Sequence, residues 1–245
     1  MGSAGKIKID ELRQFVKTEI YPCMNKDWAY FQSDAGFARF CGFSLQRIAF
    51  SEFRYGLRFR VYYALQSLAH PTPFLHVVIG DTLKDSSDKK LFGLFPQRSR
   101  EAWFDWDARM EKIDYLMSLL AEQVSPNIAQ PLTLENMLES ISKYLPNATH
   151  PNIPWTAGII LGELGRFAEA RQSLLDTIEI YSKGIEELKE LVKTNEQLKE
   201  KCLRWTVELK QAQEMLNSLH NSEAFNKHCN KIVTANIRTM NIPTR

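Results

Sequence analysis

The sequence predicts an α+β protein, a small antiparallel sheet covered by helices and followed by an all-α domain with a long antiparallel helical hairpin. Three observations carry this. Leu57, Phe59, Val61, Tyr63 and Leu65 alternate with Arg58, Arg60, Tyr62, Ala64 and Gln66, the period of a half-buried strand. Apolar residues at helical spacing flank that region on both sides. Through the C-terminal third a stripe at 3–4 spacing runs almost unbroken, which keeps one narrow face of each helix turned to a partner.

Taken in order, Ile9, Leu12, Val16 and Ile20 mark an amphipathic helix with an ordinary polar face, ended by Pro22. The aromatic stretch between Cys23 and Gly42 has no clear period and reads as a short helix or an irregular packed segment. From Phe43 to Phe53 a strand is expected, joined through Arg54-Tyr55-Gly56 to the alternating strand. A third strand is expected over Phe74 to Ile79 after Pro71 and Pro73, and a fourth near Leu91 to Phe95. Trp106, Met110, Ile113, Met117, Leu120 and Val124 then mark a helix closed by Pro126. Leu134, Met137, Leu138, Ile141 and Leu145 mark another, with Thr133 as its N-cap.

The run PNATHPNIP, Pro146 to Pro154, is the expected domain boundary, giving an α+β domain over 1–146 and a helical domain over 147–245. Within the latter, Leu164, Phe167, Ala170, Leu174, Ile178, Tyr181, Ile185, Leu188 and Val192 form one stripe. Leu198, Cys202, Trp205, Leu209, Ala212, Leu216 and Leu219 form the next. A helix from Phe167 to Val192 would extend about 39 Å and its partner from Gln197 to Leu219 about 35 Å at 1.5 Å per residue. Their matched lengths fit an antiparallel pair with a hinge near 193–196, where Thr194 and Asn195 are poor helix formers. The segment from Leu161 to Ala170 resembles the turn of a tetratricopeptide repeat. It has no sister copy, so a single helical hairpin is expected and not a repeat array.

Composition narrows the function. With 245 residues, 44% of them hydrophobic, the chain can bury a full core, and a net charge of +2 provides no long-range field for nucleic acid or anionic lipid. No apolar run approaches the ~20 residues that cross a bilayer, and the start MGSAGKIKIDEL lacks the apolar centre of a secretory signal, so a cytoplasmic protein without membrane contact is expected. The four cysteines are scattered with no C-x-x-C pair, which disfavours a zinc site or a disulfide framework. His220, His228 and Cys229 lie close in sequence, yet no third carboxylate or histidine stands at i+4 from either histidine. No metal and no cofactor are expected. Asp107, Glu111 and Asp114 would share a helical face, as paired-carboxylate chemistry requires, but acids in a first helical turn have a simpler electrostatic reason. The motifs G-x-S-x-G, G-x-x-x-x-G-K-[ST] and H-E-x-x-H are absent from the sequence.

The helix ending near Pro22, the entry Gly42-Phe43-Ser44 into a strand, the alternating hairpin, and Trp103 followed by a helix ending at Ser125-Pro126 together resemble an uncharacterised bacterial domain-of-unknown-function group. Members of that group are similar in layout to small immunity-type proteins that neutralise toxins. The likeness covers residues 8 to 140 and implies a binding role, with no catalytic residues to carry over.

The expected function is therefore a non-catalytic protein-binding module, in its sharpest form a toxin-neutralising or immunity-type protein. Its candidate contact surface is the basic strand face of Arg47, Arg54, Arg58, Arg60 and Tyr62, whose guanidinium groups suit carboxylates or phosphates. A solvated face balanced by Glu52 and neighbouring acids is the plainer reading of the same residues. The C-terminal hairpin is a second candidate surface, for a homodimer or another protein's helix. Two alternatives stand beside this: an enzyme with a site between the two domains, and a nucleic-acid binder using the arginine face. For the latter, the aromatic pattern of an RNA-recognition sheet is missing.

Overall fold

The computed structural model describes residues 6–32, 35–52, 56–70, 79–84, 101–193 and 195–240, the side chains of 79 and 240 excepted. It is an α+β protein with a six-stranded sheet and a helical region after it. The chain divides into two compact units. One comprises residues 1–40, 46–65 and 80–132, the other 41–45, 66–79 and 133–245. The division at 132/133 lies ahead of the proline link where the sequence put the boundary, because the helix over Leu134–Ser142 packs on the helix that follows the link. The link itself forms a 3₁₀ turn, Leu145–Asn147, and the start of a helix.

The first unit opens with helix α1, Ile9–Phe15, which widens into a π turn, Val16–Ile20, and closes as a 3₁₀ turn at Tyr21–Cys23. Strands β1 Ala29–Phe31, β2 Gly36–Cys41, β3 Ser44–Glu52, β4 Arg58–Ser67 and β5 Ile79–Thr82 are adjacent in that order, and β6 Phe104–Asp105 pairs with β4. The first two strands replace the helix or irregular segment expected over Cys23 to Gly42. They are antiparallel, with Tyr30 opposite Phe37. Their pattern was hidden because Arg39, a charged residue, occupies a fully buried position, and Gly36 lies so close to β3 that a Cβ would fall 2.0 Å from the Ile48 carbonyl oxygen. Of the strand expected over Phe74 to Ile79 only Ile79 is described, at the start of β5, and the rest of it, like the strand expected at Leu91 to Phe95, lies outside the described residues.

Leu12, Phe15, Val16 and Ile20 pack on Phe37, Ile48, Phe50, Phe59 and Val61 together with Leu116, Leu119 and Leu120 of helix α2, Ile113–Gln123. Burying each such side chain contributes about 1.5–3 kcal/mol. Helix α2 starts at Ile113 and not at Trp106. Residues 107–112 are turns, and Asp105 belongs to β6, so the acids Asp107, Glu111 and Asp114 do not share one helical face. Arg39 holds the loop after α2. Its guanidinium donates to the carbonyls of Asn127 (2.8 Å) and Gln130 and to Gln46 Oε1 (2.6 Å), and it lies 4.6 Å from the Trp28 ring. Burial lowers its pKa to about 10, and the nearby Asp27 offsets part of that effect.

The second unit is built around helix α4, Asn152–Glu163, in which every residue from Pro154 to Gly162 is buried. A helix apolar all round needs neighbours on all sides. It packs with helices α3 (Leu134–Ser142), α5 (Phe167–Val192) and α7 (Ser222–Met240). Two glycines one turn apart allow this: a Cβ on Gly158 would touch the Leu174 side chain of α5 at 3.0 Å, and one on Gly162 would enter the Phe225 ring of α7 at 2.5 Å. Helix α3 has the expected cap, with Thr133 and Asn136 exchanging bonds in a capping box.

The long hairpin forms as expected. Helix α5 spans Phe167–Val192, a 3₁₀ turn Glu196–Leu198 capped by the Asn195 side chain follows, and helix α6 spans Lys199–Ser218. On α5, Ala170, Leu174, Tyr181, Ile185 and Leu188 of the stripe are buried. On α6 the stripe is displaced: Glu208, Ala212, Met215 and Leu219 are buried, Trp205, Leu209 and Leu216 are half-buried, and Cys202 sits at the margin. Trp205 sets this rotation. Its indole lies where a Cβ on Gly184 would be, 2.2 Å away, and stacks edge-on to Tyr181 at 5.6 Å. Among the described residues no helix is long and apolar enough to cross a membrane.

Two outcomes follow from the packing of this unit. Gly184→Val would drive a side chain into the Trp205 ring and lower stability by about 1–3 kcal/mol, read as a lower Tm. Glu163, whose Oε1 accepts the Phe43 N–H at 2.9 Å, has its pKa raised to about 7 by desolvation. Stability from this group is therefore complete below the unfolded value near 4.5 and is lost as pH rises through 7. Glu163→Gln should flatten the pH dependence of urea unfolding in that window, removing a slope worth about 3 kcal/mol at most.

Candidate functional site

Strand β4 turns Phe59 and Val61 into the core, so Arg58, Arg60 and Tyr62 lie on the opposite face. Arg47 alternates with the core residues Ile48 and Phe50 of β3 and is half-buried, while Arg54 lies outside the described residues. The two β4 arginines are matched by acids of this chain. Arg58 Nε donates to Asp105 Oδ1 at 2.8 Å and Arg60 Nη1 to Glu101 Oε2 at 2.8 Å, and Arg60 also lies over the rings of Tyr62 (4.6 Å) and Trp103 (5.1 Å). The plainer expectation of a balanced face describes these two arginines, although Asp105 and Glu101 supply the balance and Glu52 pairs with Lys6 instead.

A different surface of the same unit forms a groove. It has a volume of about 670 Å³ and is lined by Asp10, Glu11, Gln14, Phe15, Thr18 and Glu19 from α1 and its π turn, and by Trp106, Arg109 and Met110 from the turn before α2. The late start of α2 creates it. With 107–112 outside the helix, Arg109 folds back on its own turn, donating from Nη1 to the Trp106 carbonyl at 2.7 Å with its guanidinium 4.0 Å from the Trp106 ring and 5.8 Å from Phe15. Phe15 and Trp106 meet edge-on at 5.6 Å and form an apolar floor. Met110 beside them is 52% exposed.

The rim is acidic, three carboxylates against one guanidinium. Asp10 pairs with Arg13 at 3.0 Å and Glu11 loosely with Lys8 at 3.9 Å. The Glu19 carboxylate accepts the neighbouring Thr18 hydroxyl at 2.9 Å and makes no ion pair among the described residues. The π turn buries Val16 and Ile20 while leaving Thr18 exposed and Glu19 half-buried; such turns recur at functional sites. Sequence reading passed over this groove because it took Trp106 and Met110 as core positions of a helix. The acids Asp10, Glu11 and Glu19, spaced along one short helix, were the available signal.

Other chemically distinctive groups are internal to the second unit. The His70 Nε2 and Asn152 Oδ1 lie 3.1 Å apart, Trp155 Nε1 donates to the Ala69 carbonyl, and Asn236 Nδ2 donates to the carbonyls of Leu68 and His70, both at 2.7 Å. Burial raises the pKa of Cys229 and of Cys41, and the Glu163 carboxylate adds to both shifts, the reverse of what activates a thiol. No group of three or more His, Cys, Asp or Glu among the described residues is placed to hold a metal ion, and His220 is exposed while Cys229 is buried. Compared with known proteins, the chain matches no family model, no curated protein and no solved structure.

The two kinds of arginine should separate on substitution. Arg39→Met leaves the Asn127 and Gln130 carbonyls without their donor and is expected to cost about 2–4 kcal/mol in urea unfolding. Arg58→Ala removes a solvent-screened pair and is expected to cost less than about 1 kcal/mol.

Proposed function

We propose that this protein is a protein-binding module whose first unit receives a Lys- or Arg-bearing apolar segment of another protein in the groove between α1 and the 106–112 turn. The observation that carries the reading is the combination of an apolar floor, Phe15, Trp106 and Met110, with a rim of Asp10, Glu11 and Glu19. Tryptophan and methionine are enriched at the centres of interfaces, and a surrounding charge of one sign selects and steers a partner of the other. A toxin-neutralising role, which the layout resemblance implies, is the sharpest form of this function. Both β4 arginines are paired with Asp105 and Glu101, whereas in the groove the Glu19 carboxylate makes no ion pair among the described residues, which favours the groove over the basic strand face as the contact surface.

The test is an NMR titration of the whole protein with an amphipathic Lys/Leu peptide and with its Glu/Leu counterpart. Shifts confined to the Trp106 indole, the Met110 methyl and the Phe15 region are expected with the basic peptide only. They should disappear in Glu19→Lys/Met110→Asp with the fold intact by circular dichroism. Equal response to the acidic peptide, or a response that survives the double variant, would overturn the proposal.

A further inference from the structure

The groove of the first unit already holds a cation, and it is the chain's own. Arg109 is half-buried, with its guanidinium carbon 4.0 Å from the centroid of the Trp106 ring and 5.8 Å from that of Phe15. Tryptophan is the best ring for a cation–π contact, and arginine is the cation most often found on it. The placement is nevertheless weakly secured. Three carboxylates line the same groove, and among the described residues Arg109 forms an ion pair with none of them. Its Nη1 donates to the Trp106 carbonyl at 2.7 Å, an acceptor that the Arg109 backbone N–H also reaches at 3.3 Å. Withdrawing the side chain therefore breaks no ion pair and leaves that carbonyl bonded.

The charges around the groove separate by where they stand. Residues 8–20 carry three cations and three anions and residues 106–112 two of each, so neither segment is acidic as a whole. Of these charges, Asp10, Glu11, Glu19 and Arg109 line the groove. Arg13 reaches Asp10 from outside the lining while its Nε donates to the Gln32 carbonyl, and Lys17 stands 6.0 Å from the Tyr30 ring. Glu19 makes no ion pair among the described residues. The lining thus combines an aromatic face covered by a loosely held guanidinium with a carboxylate that this guanidinium does not engage.

We propose that the face of Trp106 is an arginine subsite, that Arg109 fills it as an internal stand-in, and that the arginine of a bound segment takes its place. This rests on the reading of the groove as the site of a basic apolar segment, and adds which cation is read and by what. An arginine arriving from solvent can lie on the indole while its remaining N–H groups face Glu19. Arg109, tied to the carbonyl three residues before it, makes no such pairing. A lysine would meet the same carboxylates without the planar stacking, so the subsite selects a guanidinium. Until it moves, Arg109 repels the arriving cation and so lowers the affinity for every basic ligand.

The test is NMR titration of the whole protein with amphipathic Arg/Leu, Lys/Leu and citrulline/Leu peptides, citrulline having nearly the shape of arginine without its charge. The wild type is expected to bind the Arg/Leu peptide more tightly than the Lys/Leu peptide and to show no response to the citrulline peptide at the Trp106 indole. Arg109→Ala should bind the Arg/Leu peptide about fivefold more tightly than the wild type does. That gain should vanish in the Trp106→Leu background, with circular dichroism verifying each fold. In the wild type, the Arg109 Nε–H signal should move towards that of a solvated arginine as the peptide binds, a measurement that needs no variant. Equal affinity for the two basic peptides, no gain in Arg109→Ala, a gain that persists without Trp106, or an unmoved Arg109 signal would overturn this inference and leave the reading of the groove standing. Failure of both basic peptides to bind either the wild type or Arg109→Ala would overturn the two together.

Discussion

Backbone that leaves water without joining a helix or a ladder must still be hydrogen-bonded, and in both units a buried polar side chain meets that requirement. Arg39 donates to the carbonyls of Asn127 and Gln130 in the loop that closes α2. Asn236, far along α7, donates to the carbonyls of Leu68 and His70 just after β4. Glu163 accepts from the N–H of Phe43 in the turn after β2, where Gly42 has φ of +53° and no room for a Cβ beside the carboxylate. Each of these bonds links segments dozens of residues apart in sequence, so each acts as a long-range constraint as well as a local one. A charged or amide group in such a place is costly alone and stabilising only when its partners are in position.

The same economy shapes the hairpin. Tyr181 and Glu208 bring polar atoms into the seam, and the proximity of the two raises the tyrosine pKa beyond what burial alone does. Arg204 stands 3.9 Å from Glu208 at the surface end of that arrangement. Gly184 admits the Trp205 indole, which turns α6 so that Glu208, Ala212 and Met215 point inwards. Leu203 and Val207 are left facing out by that rotation and by nothing in their own chemistry.

The groove in the first unit likewise follows from where a helix begins. A turn over 107–112 lets Arg109 lie on Trp106 and leaves Met110 at the surface, whereas a helix begun at Trp106 would have carried Trp106 and Met110 inward. The acids of α1 then stand over an aromatic floor. Short-range electrostatics of this kind operate within a protein of nearly zero net charge, since fields beyond about 10 Å are screened at ordinary ionic strength.

Much of the fold was legible from periodicity. The alternation around Phe59 and Val61 located β4, and the 3–4 stripe located α5, because side chains on those elements sort cleanly between water and core. Thr133 announced its cap for the same local reason, and Asn195 the place of the hinge. The strands β1 and β2 were not legible, since Arg39 inverts the expected sorting and its compensation comes from a loop some ninety residues away. Nor was the groove, because whether Trp106 and Met110 are core or surface depends on where α2 starts. The sequence by itself determined which segments bury an apolar face and at what period. Only the tertiary structure decided which apolar residues remain outside and which charges are already spent on partners within the chain, because those outcomes depend on contacts between residues far apart in the chain.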